Sequence, residues 1–156
     1  MLLLKHITQN DADLETARHL FREYANELAV DLNFQHFEEE LNNPLKKYGT
    51  PTGSLMMAFW NNEPVGTIAL QALEENGVCE MKRLFVQAPF RQFGIGESLV
   101  KAILIEAKKL GYIKMKLDTL ERLKAAIALY LKHGFIITTA YYHNPLPEVV
   151  YMERIL

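Results

Sequence analysis

Residues 86 to 99 read VQAPFRQFGIGESL, placing an arginine and two glycines close behind an apolar run. Glycines at a strand-to-helix turn let the backbone come close to a partner. A helix N-terminus adds free N–H donors and the positive end of a dipole. The chemistry that suits such a turn is anion binding, with successive N–H groups forming a nest for a phosphate or pyrophosphate. Two common phosphate patterns fail here. A dinucleotide fingerprint needs a third glycine where Leu99 stands, and a P-loop needs Lys-Ser/Thr where Gly96 is followed by Glu97 and Ser98. What remains is R-x-x-G-x-G, from Arg91 to Gly96, and on the glycines alone a turn that binds nothing stays equally open. Cys79 adjoins Glu80, but the five histidines show no spacing that specifies a cysteine nucleophile or a zinc site. A buried thiol and no metal are therefore expected. His36 with Glu38, Glu39 and Glu40 resembles no metal motif and reads as a solvated helix face.

Elements must hold this turn in place. The N-terminal MLLLKHIT is too short and too soon charged for a signal peptide, and reads as a first strand. A helix follows, with Asn10 or Asp11 as N-cap, and Leu14, Ala17, Phe21, Leu28 and Leu32 recur at its spacing. FQHFEEEL predicts a shorter helix, and NNPLKKYGTPTGS a loop. SLMMAFW, VGTIALQAL and VCEMKRLFV read as an antiparallel meander with turns at NNEP and EENG. Beyond the glycine turn, Ile95, Leu99, Val100, Ile103, Leu104 and Ala107 mark one helix face. IKMKLDT predicts a fifth strand, LKAAIALYLKHG a helix, FIITTAYY a sixth strand and VVYMERIL the last. The fold class expected is mixed α/β: one domain over residues 1–156, with a mixed, mostly antiparallel twisted sheet of about seven strands and helices on both faces. Apolar residues at 49% and charged residues at 23% fit a soluble globular chain, and a net charge of −2 argues against a nucleic-acid surface. No apolar run reaches membrane-spanning length, so neither nucleic acid nor membrane is an expected partner. One cysteine excludes an internal disulfide and suits a reducing cytoplasm.

CEMKRLFVQAPFRQFGIGESLVKAIL resembles the acyl-CoA-binding core of the GNAT superfamily of N-acetyltransferases, which carries a Q/R-x-x-G-x-G/A turn after its fourth strand. AAIALYLKHGF, residues 125–135, is similar to that family's second signature, a helix with a Leu-Tyr pair followed by Gly-Phe. The N-terminal EYANELAVDLNFQHF and the C-terminal YYHNPLPEVVYME also resemble blocks of a bacterial branch. The resemblance implies acetyl transfer from acetyl-CoA to a primary amine by direct attack in a ternary complex. A catalytically silent acyl-CoA sensor and a transferase of another acyl group are the alternatives. It also implies that the CoA pyrophosphate lies on the backbone of Gln92, Phe93, Gly94, Ile95, Gly96 and Glu97, with the pantetheine arm along Leu84, Phe85 and Val86 as an added strand. Arg91 is placed beside the turn, either ordering it or approaching a phosphate, and a solvated arginine remains open. Many members carry an asparagine seven residues before the helix tyrosine; here that position is Leu123.

Within this resemblance Glu80 is the candidate general base and Tyr130 the candidate acid for the departing thiolate. At about 3.3 Å per residue Glu80 lies roughly 20 Å from Val86, a length suited to an extended pantetheine arm. Pairing with Lys82 on the same strand face is the alternative for Glu80, and plain core packing is the alternative for Tyr130. A β-bulge in this strand would change which face Glu80 uses. The oxyanion donor is expected to be a backbone N–H near Leu84 to Val86. Tyr24, Asp31, Gln35 and Tyr142 are the candidate acceptor-binding residues, and the expected acceptor is a small-molecule amine rather than a protein. A homodimer is compatible with this reading.

Overall fold

The computed structural model describes Met1–Leu156. Its sheet runs in the order β1-β2-β3-β4-β5-β7-β6, built from β1 (Leu2–His6), β2 (Ser54–Trp60), β3 (Glu63–Ala72), β4 (Val78–Val86), β5 (Lys114–Leu120), β6 (Ile136–Thr138) and β7 (Val149–Ile155). Every neighbouring pair is antiparallel except β4 with β5. The expected mixed, mostly antiparallel sheet is thus the one formed. Both faces are covered, which is why the central strands read as nearly unbroken apolar runs rather than alternating ones.

Helices α1 (Ala12–Leu28), α2 (Phe37–Asn42) and α3 (Pro44–Tyr48) cover one face through Leu14, Phe21, Phe37, Leu41 and Tyr48. Helices α4 (Ile95–Lys109) and α5 (Lys124–Lys132) cover the other through Ile95, Leu99, Ile103 and Tyr130. Asp11 caps α1 by accepting from the N–H groups of Asp13 and Leu14 at 3.0 and 3.1 Å.

Three local expectations give way. The first helix stops at Leu28, because Ala29 turns left-handed at φ 55°, and Leu32 enters the core from the connection that follows. Within the expected loop, Pro44 opens the single helical turn of α3, whose Tyr48 is fully buried. The sixth strand is only Ile136–Thr138, so Tyr141 and Tyr142 leave the sheet edge and turn back toward its centre.

Candidate active site

The site is organised by an irregularity in β4. Opposite β3, Thr67 pairs with Phe85 and Ala69 with Lys82, so Arg83 and Leu84 together oppose Ile68. Arg83 sits at φ 58°, the extra residue of a β-bulge. Cys79 and Met81 face the α4 side, and beyond the bulge the parity flips, with Val86 on that side and Phe85 on the other. The bulge leaves Lys82 and Arg83 consecutive on the α1–α3 side, the side that Glu80 also faces. Arg83 reaches the buried Glu40 of α2, with Nε 2.7 Å from Oε2 and Nη2 2.8 Å from Oε1. Glu40 is therefore an interior ion-pair partner and not part of a solvated face.

Glu80 is 3% exposed. Its Oε1 accepts from Gln71 Nε2 at 2.7 Å and its Oε2 from the Tyr141 hydroxyl at 2.5 Å. Lys82 Nζ lies 3.8 Å from Glu80 Oε1 and 3.9 Å from Asp118 Oδ1, so the same-face pairing with Lys82 is real but looser than a hydrogen bond. Asp118 Oδ2 accepts in turn from the Tyr142 hydroxyl and from Asn144 Nδ2, the latter at 2.7 Å. Burial, followed by the neighbouring Glu80 charge, pushes the Tyr141 hydroxyl far above its ordinary value, and burial with Asp118 does the same to Tyr142. Both phenols stay protonated as donors. Burial pulls the Lys82 ammonium below its ordinary value, against the opposing pull of Glu80.

β4 and β5 pair in parallel only from Val78 with Lys114 to Glu80 with Lys116. Past that point they splay, leaving the β4 backbone without a strand partner on the β5 side. A narrow cavity fills the splay, lined by Leu84, Leu117, Thr119, Leu123 and Tyr130. Tyr130 is 7% exposed, and burial raises its phenol well above the usual range. A larger, open cavity of about 720 Å³ lies on the α1–α3 side, lined by Glu80, Gln71, Lys116, Tyr141 and Tyr142. Lys82 and Gln35 line both, and so stand where the two spaces meet.

The glycine turn closes the far end of β4. Residues Ala88–Phe93 form a 3-10 turn, Gly94 takes φ 74°, and α4 begins at Ile95 with the N–H groups of its first turn free. Arg91 orders this turn: its Nε donates to the Val86 carbonyl at 2.7 Å and its Nη2 to Glu27 at 2.5 Å. Phe93 stacks parallel on Trp60, with ring centroids 5.0 Å apart. The Glu97 side chain is occupied by Lys132 at 2.9 Å and His133 at 3.1 Å, so at this position only the backbone remains to meet a ligand. Leu123 stands as N-cap of α5 without a side-chain cap.

Of the candidate acceptor residues, three converge and one does not. Gln35 accepts from Arg83 Nη2 and donates to the Tyr142 hydroxyl, each at 3.0 Å, and so bridges the two segments across the groove. Tyr24 packs edge-on against Phe85 at 6.1 Å and lines the narrow cavity. Asp31 is exposed, lines neither cavity, and accepts from the N–H of Asn33 at 2.9 Å in a turn before α2. Sequence reasoning gave Asp118 and Gln71 no place, and it assigned Tyr141 and Asn144 no partner. Tyr141 and Asn144 do lie in YYHNPLPEVVYME, the C-terminal block that the sequence marks by resemblance. No group of three or more His, Cys, Asp or Glu side chains is arranged to hold a metal ion.

Comparison with known proteins gives the family and the fold. Residues 14–135 match the model of the acetyltransferase (GNAT) family. The chain is 44% identical over 142 residues to an uncharacterized N-acetyltransferase of Schizosaccharomyces pombe, covering 90% of this chain and 87% of the relative. An acetyltransferase structure from Streptococcus agalactiae superposes with a TM-score of 0.82 at 21% identity, over 99% of this chain and 98% of the other. The PaiA N-acetyltransferase of Thermoplasma acidophilum, solved in complex with coenzyme A, superposes with a TM-score of 0.73 at 16% identity, over 100% and 99%.

Proposed function

The chain belongs to the GNAT acetyltransferase family, and from that premise we propose that it transfers an acetyl group from acetyl-CoA to a small primary amine by direct attack in a ternary complex. The observation that carries this reading is the meeting of two cavities at Lys82 and Gln35, one lined by Tyr130 and the other by Glu80. The donor would lie along the unpaired β4 backbone, with its pyrophosphate on the amides of residues 92–97, a reading supported by the free N–H groups at the start of α4; that the Thermoplasma protein of the same fold was solved with coenzyme A supports acyl-CoA binding in general. The acceptor would enter from the larger cavity.

Glu80 takes a proton from the attacking nitrogen as the carbon–nitrogen bond forms at the thioester carbon. Backbone N–H groups near Leu84 to Val86 receive the charge that develops on the carbonyl oxygen. When the carbon–sulfur bond breaks, Tyr130 donates to the departing thiolate, and burial keeps its phenol protonated for that role. Cys79 is unsuited to carrying the acyl group, because it is buried and its thiol is pushed up to about 12. Its free state suits the cytoplasm, where we place the reaction.

A thiol-release assay with acetyl-CoA and a panel of small amines, peptides and protein lysines tests the reading. Turnover with small amines is the expected result. Acetyl-CoA binding without turnover on any amine would make the protein a sensing module. Faster turnover with a longer acyl-CoA would change the donor.

A further inference from the structure

Lys82 is a buried charge that, unlike Arg83 with Glu40, has no carboxylate within hydrogen-bond distance. Its side chain is 5% exposed, yet it lines both cavities at their junction. The nearest carboxylate oxygens, 3.8 Å away on Glu80 and 3.9 Å away on Asp118, are too distant for direct hydrogen bonds. Both carboxylates are held off by neutral donors of their own, Gln71 and Tyr141 on one, Tyr142 and Asn144 on the other. The three groups therefore form a row of negative, positive and negative charge, in which the ammonium lies beyond hydrogen-bond distance of both carboxylates and 6.0 Å from the centroid of the Tyr142 ring, on a side chain that lines both cavities. An ammonium this enclosed and this far from its counter-charges gains from any ligand that completes its hydrogen bonds.

The charge row limits what can complete them. A simple cationic amine brings an ammonium up against Lys82, and a simple anion meets two carboxylates. A molecule carrying an amine and a carboxylate on the same carbon satisfies the row without changing its net charge. The wider cavity is balanced in the same way, with Lys47, Lys82 and Lys116 against Glu74, Glu75 and Glu80. Resting on the transferase reading above, we propose that the acceptor is an amino acid or a close relative, whose carboxylate is received by Lys82 while its amine faces Glu80 and Asp118. Lys82 is then the residue that sets acceptor specificity.

The test compares each α-amino acid of a panel with its carboxamide and with the amine left by removing its carboxylate, using the full-length protein and acetyl-CoA. A preferred acid is expected to exceed both analogues in kcat/KM by ten- to a hundredfold on the order of a lost charged hydrogen bond, carried mainly by KM. Lys82→Met should bring that ratio close to one, and Lys82→Arg should restore part of it. Should Lys82→Met fail to fold, the wild-type ratio together with Lys82→Arg decides. Equal or better use of the carboxamide or decarboxylated amine by the wild type overturns the inference while leaving the transferase reading intact. Acetyl-CoA binding with no turnover on any amine sinks both.

Discussion

Glu80 is fixed at both oxygens, and this decides what removal of its charge does. In Glu80→Gln the new amide must present a nitrogen to one of two donors, Gln71 or Tyr141. Gln71 can rotate its own amide to accept, so the site keeps its shape while losing its base. We expect kcat to fall by about 10²–10⁴ with acetyl-CoA affinity retained, as steady-state kinetics and calorimetry would show. The loss should shrink as pH rises, because a larger fraction of the amine is then already neutral. Tyr130→Phe should show no such rescue: its phenol is raised above 10.0 by burial, so the wild-type donor is present throughout neutral pH and is lost only in more alkaline solution. A Glu80→Gln enzyme with full rate across pH would assign the base elsewhere. Glu80 and Tyr130 could be singled out as candidates from the sequence because each falls inside a stretch that resembles a family signature. Gln71, Asp118 and Tyr141 were not, because they reach Glu80 and Lys82 from β3, β5 and the segment after β6, and sequence separation does not encode that convergence.

At the scale of elements, the turn into α4 makes the sharpest case. A Cβ at Gly94 would meet nothing within 4 Å, but the residue sits at φ 74°, where side chains strain the backbone. Gly96 is different: a Cβ there would touch only Leu129 Cδ2 at 3.7 Å and Val86 Cγ2 at 3.9 Å, ordinary contacts. Gly96→Ala should therefore fold at least as well as the wild type, gaining up to about 1 kcal/mol of helix propensity. If the pyrophosphate rests on this turn, the added methyl weakens acetyl-CoA binding roughly tenfold through close approach alone. Thermal melts and calorimetry on the same variant separate the two effects, and unchanged affinity would remove Gly96 from the site. The order of strands and helices was readable from apolar spacing and turn residues, including the helix after this turn. The bulge at Arg83 was not, since an arginine at positive φ leaves no mark in composition and is held by Glu40, 43 residues away. The shortness of β6 was equally hidden: FIITTAYY has strand propensity throughout, but at the sheet edge only β7 pairs with it, and Tyr141 and Tyr142 are drawn off to the carboxylates.

Across the whole molecule, the splay between β4 and β5 opens the sheet where the site needs room, so the α1–α3 layer has to hold β4 in place. Its anchor is Glu40, which accepts from Arg83 Nε and Nη2 and, at 2.8 Å, from the Tyr48 hydroxyl, with Lys47 3.4 Å away. Burial works against this carboxylate, but the hydrogen bonds and charge of Arg83, with help from Lys47 and Tyr48, outweigh it and hold the group below its ordinary 4.5. Because the folded value is depressed, the pair's contribution is complete above about pH 4.5 and is lost as pH falls through the folded value. Glu40→Gln leaves Arg83 buried without its counter-charge, a change that costs about 3–5 kcal/mol. We therefore expect the variant to melt well below the wild type at pH 7, and the gap to narrow only as pH falls below about 4.5, where the wild type alone loses this contribution. A gap that stays constant down to pH 3 would show that the pair is not the source. Arg83 Nη2 also holds Gln35 Oε1, so the same variant loosens the bridge to Tyr142. Under conditions where the variant remains folded, its KM for the acceptor should rise, because the bridge that Glu40 supports through Arg83 and Gln35 ends on Tyr142 at the larger cavity.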